Sequence, residues 1–134
     1  MESNSHHNLP PEYQLKKTLT ANIGVVYFYD HVVIFEAYEG VTVSYKTGFS
    51  LLLKGLNYLG TRPWVYVTNR IHSYSLKPVD YKYLNNVTTL KAMAVVNHNE
   101  VAMLNAELES KFCKKPFKVF DNLLEAVIWA KGHL

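Results

Sequence analysis

Leu90-Lys91-Ala92-Met93-Ala94-Val95-Val96 is an apolar run with one early charge and no alternation after it. A strand with one wet face alternates, whereas a run this uniform is expected where both faces are covered, as in a parallel sheet flanked by helices. Parallel neighbours need crossovers, so the segments on either side should be helical. Downstream, Asn97 and Glu100 have capping-box spacing, with Asn in place of the usual Ser or Thr, and Val101, Leu104, Leu108 and Phe112 recur at helical intervals. Lys111, Lys114 and Lys115 close that helix, where positive charge meets the negative end of the dipole. Upstream, Pro78 suits a first helical turn, and Val79, Tyr83 and Val87 continue it.

Working outward, Pro63-Trp-Val-Tyr-Val-Thr68 reads as a strand leading into the polar loop 69–75. Before it, Tyr45, Phe49, Leu52, Leu53, Leu56 and Leu59 form a helical stripe that starts from Thr42, and Gly60 stands at the cap. Earlier still, the runs 24–29 and 32–38 are separated only by Asp30-His31 and should pair as an antiparallel hairpin, preceded by a weaker strand over 14–20. At the other end, Pro116-Phe-Lys-Val-Phe120 is a short strand, and Asp121 or Asn122 caps a helix bearing Leu124, Val127, Ile128 and Lys131. The predicted order is βββαβαβαβα. It specifies an α/β fold with a mixed, mostly parallel sheet, an N-terminal antiparallel hairpin and about four helices.

The 134 residues suit one hydrophobic core, and 49% hydrophobic with 19% charged residues is globular composition. Residues 1–13 are polar, carry His6-His7 and Pro10-Pro11, and read as a flexible leader ahead of one domain over 14–134. The leader lacks the basic start and apolar run of a secretory signal, and no stretch approaches the roughly 20 apolar residues of a membrane span. The single Cys113 permits no internal disulfide, which points to a reducing compartment, the cytoplasm. A net charge of +3 spread along the chain argues against a nucleic-acid partner.

The closing segment, Phe117-Lys-Val-Phe120-Asp121-Asn-Leu-Leu-Glu125-Ala126-Val-Ile-Trp129, resembles the terminal strand and helix of the SpoIIAA-like (STAS) family. The resemblance extends over the order of elements from about Lys16 onward. It implies the STAS fold, a bacterial origin and a non-catalytic regulatory or protein-interaction role. Members of the family that antagonise anti-sigma factors carry a phosphorylatable serine in an Asp-Ser-Ser-Gly type turn before the second helix. Here the corresponding loop is Thr68-Asn-Arg-Ile-His-Ser73-Tyr-Ser75-Leu-Lys77-Pro78, without that turn, so the phosphoswitch does not carry over. Distant members are likened to lipid-binding SEC14 domains, which makes carriage of a small apolar ligand the alternative role.

In open α/β sheets ligands gather beyond the carboxyl ends of the parallel strands. The loops expected there hold Asn69, Arg70, His72, Ser73, Ser75, Asn97 and His98, a set suited to an anionic ligand or an acidic partner side chain, although Asn and Ser are also ordinary turn residues. A hydrolase built on Ser73 or Ser75, with His72 or His98 as base and Asp80 behind it, lacks a nucleophile elbow and is the most distant reading. Cys113 reads as a packing residue. The histidines have no metal-ligand spacing and the glycines no nucleotide fingerprint, so neither metal nor cofactor is expected. Ten tyrosines are the compositional peculiarity, and Tyr27, Tyr29 and Tyr38 on the hairpin are candidates for a self-association surface, a homodimer being its simplest product.

Overall fold

The computed structural model describes residues 7–72, 74–98 and 100–134, the side chains of 100–104 excepted. Strands β1 (Lys17–Ala21), β2 (Gly24–Tyr29) and β3 (Val32–Ala37) form an antiparallel meander. Tyr29 pairs with Val32 across the two-residue turn, and Asp30 there takes a φ of 58°, a region where Asp is among the better-tolerated side chains. The chain continues through β4 (Thr42–Val43), α1 (Tyr45–Leu59), β5 (Trp64–Arg70) and β6 (Ser75–Leu76). A 3-10 turn over Pro78–Asp80 then leads into α2 (Tyr81–Asn85), followed by β7 (Leu90–Asn97) and α3 (Glu100–Glu109) with a 3-10 extension over Ser110–Phe112. The remaining elements are β8 (Phe117–Phe120) and α4 (Leu123–Lys131).

The main sheet has the order β1-β2-β3-β5-β7-β8, with β3, β5, β7 and β8 mutually parallel, as the apolar run at Leu90–Val96 predicts. β4 and β6 make a separate two-stranded parallel ladder that ties the loop after β3 to the loop after β5. One sheet face packs Ile34, Val65, Val67, Ala94 and Val96 under Ala126, Val127 and Ala130 of α4. The other packs Phe28, Val33, Phe35, Trp64 and Met93 against Leu51 and Leu59 of α1 and Tyr81 of α2.

The structure departs from the sequence reading in four places. Of the expected leader, residues 7–13 lie on the first face, where Leu9 and Tyr13 join the core and the Lys131 ammonium stands 4.9 Å from the Tyr13 ring centre. Two apolar side chains hold a polar stretch there because α4 packs chiefly over β3, β5, β7 and β8 and not over β1 and β2. Helix α1 begins after Ser44, whose hydroxyl accepts from the Thr47 N–H (3.4 Å) while its own N–H donates to the Thr47 hydroxyl (2.9 Å). Thr42 and Val43, expected in the helix, are β4.

The inward phase of two helices also differs. Of the expected α1 stripe, Tyr45, Leu52, Leu56 and Leu59 face the sheet side, but Phe49 and Leu53 are 40% and 49% exposed, and Gly48, Leu51 and Gly55 join the inward face. Leucines at 51, 52, 53, 56 and 59 leave the phase open, because apolar residues occupy more than one face. Among the described side chains of α3 and its extension, Ala106 and Glu109 are buried, while Leu108 and Phe112 are 57% and 47% exposed. Val101 and Leu104 lie outside the described side chains. Asn97, expected as a helix cap, is the buried last residue of β7, and position 99 lies outside the described residues.

Candidate functional site

Alternation along β5 divides its side chains. Val65, Val67 and Asn69 point to the α4 side, and Trp64, Tyr66, Thr68 and Arg70 to the α1 side, where they run from apolar to charged toward the carboxyl end. Above this series lies a half-open apolar cavity of about 160 Å³. Its floor is Val26, Phe28, Val33 and Phe35 from the sheet, and its roof is Gly48, Leu51, Leu52, Gly55 and Leu56 from α1. Tyr45 stacks on Tyr83 at 3.7 Å between ring centres, and both rings line one end.

The roof is unusual for a helix. Glycine inside a helix costs about 1 kcal/mol relative to alanine, so two of them require a reason. Close packing is not the reason: a Cβ on Gly48 would stand 3.7 Å from Ile23 Cδ1, and one on Gly55 3.6 Å from Phe28 Cζ, both ordinary contacts. The two positions are seven residues apart on one helix face, and both border the cavity.

Polarity within the cavity wall is concentrated at one end. Trp64 is satisfied, its indole N–H donating to the Thr89 hydroxyl at 3.0 Å. At the carboxyl end of β5, Arg70 donates from Nη1 and Nη2 to the two carboxylate oxygens of Glu109 at 2.7 and 2.6 Å, and the Tyr81 hydroxyl donates to Glu109 Oε1 at 2.7 Å. Burial alone would lower the Arg70 pKa, but the hydrogen-bonded Glu109 carboxylate reverses this and raises it. Burial, then the Glu109 charge, pushes the Tyr81 hydroxyl pKa far up. Tyr66 is likewise raised, first by burial and then by Tyr74. The Thr68 and Tyr74 hydroxyls share a hydrogen bond at 3.0 Å.

The residues expected at the strand ends divide three ways. Arg70, His72, Asn97 and His98 line one open groove together with Glu39, Ile71, Leu108 and Phe112, and His72 Nδ1 lies 3.7 Å from Glu39 Oε1. Arg70 borders both this groove and the cavity. Asn69 points to the opposite sheet face and donates to Glu36 Oε2 at 2.8 Å. Ser75 is exposed in β6, outside the groove lining, with its N–H donating to the Val41 carbonyl at 2.9 Å. Ser73 lies outside the described residues. Asp80 accepts from the Tyr45 N–H at 2.8 Å and so anchors the start of α1. Burial raises the Cys113 thiol pKa, opposite to what a nucleophile needs.

On the α4 side, Tyr29 is buried beneath the chain's own residues 7–13 and its hydroxyl is hydrogen-bonded to His7 Nδ1, so its ring is a core surface. Tyr27 meets the His7 ring edge-on at 4.6 Å and is half-buried, while Tyr38 is exposed. Burial, then the Glu36 charge, pushes the Tyr29 hydroxyl up to about 12. His7 Nε2 stands 2.7 Å from Glu36 Oε2. The sequence reading passed over Glu36, Glu109, Tyr74 and Tyr81. Glu36 had a signal, as the one charge in the apolar strand Val32–Ala37. Glu109 had none, because its partners lie 39 and 28 residues away. Among the described residues, no group of three or more His, Cys, Asp or Glu is placed to hold a metal, and no helix is long and apolar enough to cross a membrane.

No family model and no curated protein matches the chain. Among solved structures it is similar to an uncharacterized protein of the DUF3478 family with a SpoIIAA-like fold, from Shewanella loihica PV-4. The two share 15% identity and a TM-score of 0.53 over 85% of this chain and 90% of that one. The likeness gives this chain the SpoIIAA-like fold expected from its closing segment.

Proposed function

We propose that this SpoIIAA-like domain is a non-catalytic binding module that holds one small apolar molecule between α1 and the sheet. The observation that carries the reading is the glycine-lined roof: α1 gives up helix propensity at Gly48 and Gly55, where alanine could be accommodated, and both positions border empty apolar space. A cavity of about 160 Å³ is in the size class that accepts a single benzene ring. The unpaired Cys113 supports a reducing setting, and we take the cytoplasm as its place of action.

Titrating toluene into the protein while recording amide spectra and thermal unfolding tests this. Saturation at 100 times Kd should stabilise the fold by about 2.7 kcal/mol. The shifted amides should cluster on α1 and β5, and Gly55→Leu, which fills the space, should remove the response. Shifts scattered over the surface, or none at saturation, would sink the reading.

A second reading, an interaction edge for a protein partner, is favoured by the groove, where exposed Ile71, Leu108 and Phe112 share the lining with Arg70, His72 and His98. Exposed apolar clusters rimmed by polar groups mark protein contacts. With a second copy as the partner, sedimentation should show concentration-dependent dimers that Phe112→Glu abolishes while the fold stays intact. A monomer at every concentration removes the homodimer form of this reading.

A further inference from the structure

We infer that the cavity selects an aromatic ring over a saturated ring or an open chain of the same carbon count; this rests on the cavity-binding reading above. Three observations carry it. The chain has six Phe, ten Tyr and two Trp, and half of these rings line this one cavity, among them five of the tyrosines that mark the composition. A packed layer of this fold does not need so many: of the thirteen described residues buried on the α4 side, only Tyr13 and Tyr29 are aromatic. The polar tips are also spoken for. Tyr81 donates its hydroxyl to Glu109 at 2.7 Å, Tyr74 shares a hydrogen bond with Thr68 at 3.0 Å, and Tyr66 is hydrogen-bonded to the same threonine. Finally, rings cluster at the opening. Tyr45 stacks on Tyr83, and Phe49, which lines the cavity and is 40% exposed, lies tilted by 51° against Tyr45 at 4.8 Å between ring centres.

With those hydroxyls taken up by the protein, what these tyrosines leave for a ligand is ring. An aromatic side chain carries a negative face and a positive edge, so an aromatic guest gains about two- to twelvefold in affinity for each well-placed ring pair, beyond the area it buries. A saturated ring of the same outline buries similar area and has no such charge pattern to match. An open chain also gives up rotational freedom when it is confined. The ligand class is therefore a single neutral aromatic ring, and because the cavity is half-open, a substituent on that ring can extend past Phe49 into water.

The test compares toluene, methylcyclohexane and heptane, which share one carbon count and differ as aromatic ring, saturated ring and open chain. Each is titrated into the full chain, and its affinity is divided by its own partition from water into hexadecane, which removes the burial common to all three. After this correction toluene should be held at least about fivefold better than either of the others, the scale of one to two ring pairs. Nuclear Overhauser contacts should connect toluene to the ring protons of Tyr45, Phe49 and Tyr83. Phe49→Leu and Tyr83→Leu each replace a ring by an aliphatic side chain, and each should cut the corrected toluene advantage by at least about twofold. Should either variant fail to fold, the wild-type ratios and the ring contacts decide alone. Equal corrected affinities overturn the aromatic class and leave the cavity reading standing. Heptane held best overturns the ring class in favour of an acyl chain. Binding by none of the three overturns both.

Discussion

At Gly24 an added Cβ would stand 2.3 Å from the Glu36 carbonyl oxygen and 2.8 Å from Ala37 Cα, both backbone atoms of the neighbouring strand that cannot swing aside. At Gly55 the nearest atom would be 3.6 Å away. The same substitution should therefore act in opposite directions. Gly24→Ala should destabilise by about 2 kcal/mol, the usual scale of overpacking, and Gly55→Ala should stabilise by up to about 1 kcal/mol through helix propensity. Urea melts with equal slopes and midpoints moved in opposite directions would bear this out, and a destabilised Gly55→Ala would mean that the roof has no spare room. Ser44→Ala removes the hydroxyl that caps α1 and should cost about 1 kcal/mol in the same assay. A glycine's address in a strand or helix was legible in the sequence, but its clearance was not, because the atoms that set it come from another strand at Gly24 and from across the core at Gly55.

Elements were more legible than their faces. The succession of strands and helices follows from local periods and turn residues, and the apolar run at Leu90–Val96 correctly implied a strand inside a parallel array. The edges of the stripes were misread: Phe49 and Leu53 of α1 turn outward because leucines crowd that helix, and Leu108 and Phe112 turn outward where α3 and its extension bury the carboxylate of Glu109. Site legibility follows the same division: Arg70, His72, Asn97 and His98 could be gathered from the rule about strand ends, whereas Glu109 could not, since only the fold brings it to Arg70. The segment over residues 7–13 is the element that composition hid. Its Leu9 and Tyr13 anchors bury apolar surface worth on the order of 3 kcal/mol together. Deleting residues 1–13 should lower the unfolding free energy by that scale and raise protease sensitivity around β2. An unchanged melt would show that the segment adds nothing to the fold.

For the molecule as a whole, the buried tyrosines set an alkaline limit. Unfolded tyrosines ionise near pH 10. In the folded protein Tyr29 is raised to about 12, and Tyr27, Tyr66 and Tyr81 are raised as well, each chiefly by burial. The folded state thus keeps phenolic protons that the unfolded chain has already lost. Their contribution to stability is whole below about pH 10 and is lost as pH climbs through 12. Tyrosinate absorbance followed alongside circular dichroism should show the accessible rings titrating first and reversibly, with the last rise coinciding with unfolding. Ten rings titrating together in an intact fold would contradict this.

The sheet face beneath α4 has a further consequence, for the order in which the protein is made. That face is closed by two pieces from opposite ends of the described chain, the segment 7–13 and the nine residues of α4. A nascent chain that has reached only α3 already holds a β-meander and a roofed opposite face, yet Val65, Val67, Ala92, Ala94 and Val96 stand bare to any neighbour on the polysome. The interval of greatest chaperone demand is therefore the one just before α4 leaves the ribosome, and slow codons between β8 and α4 would lengthen the time this apolar strip is open to aggregation.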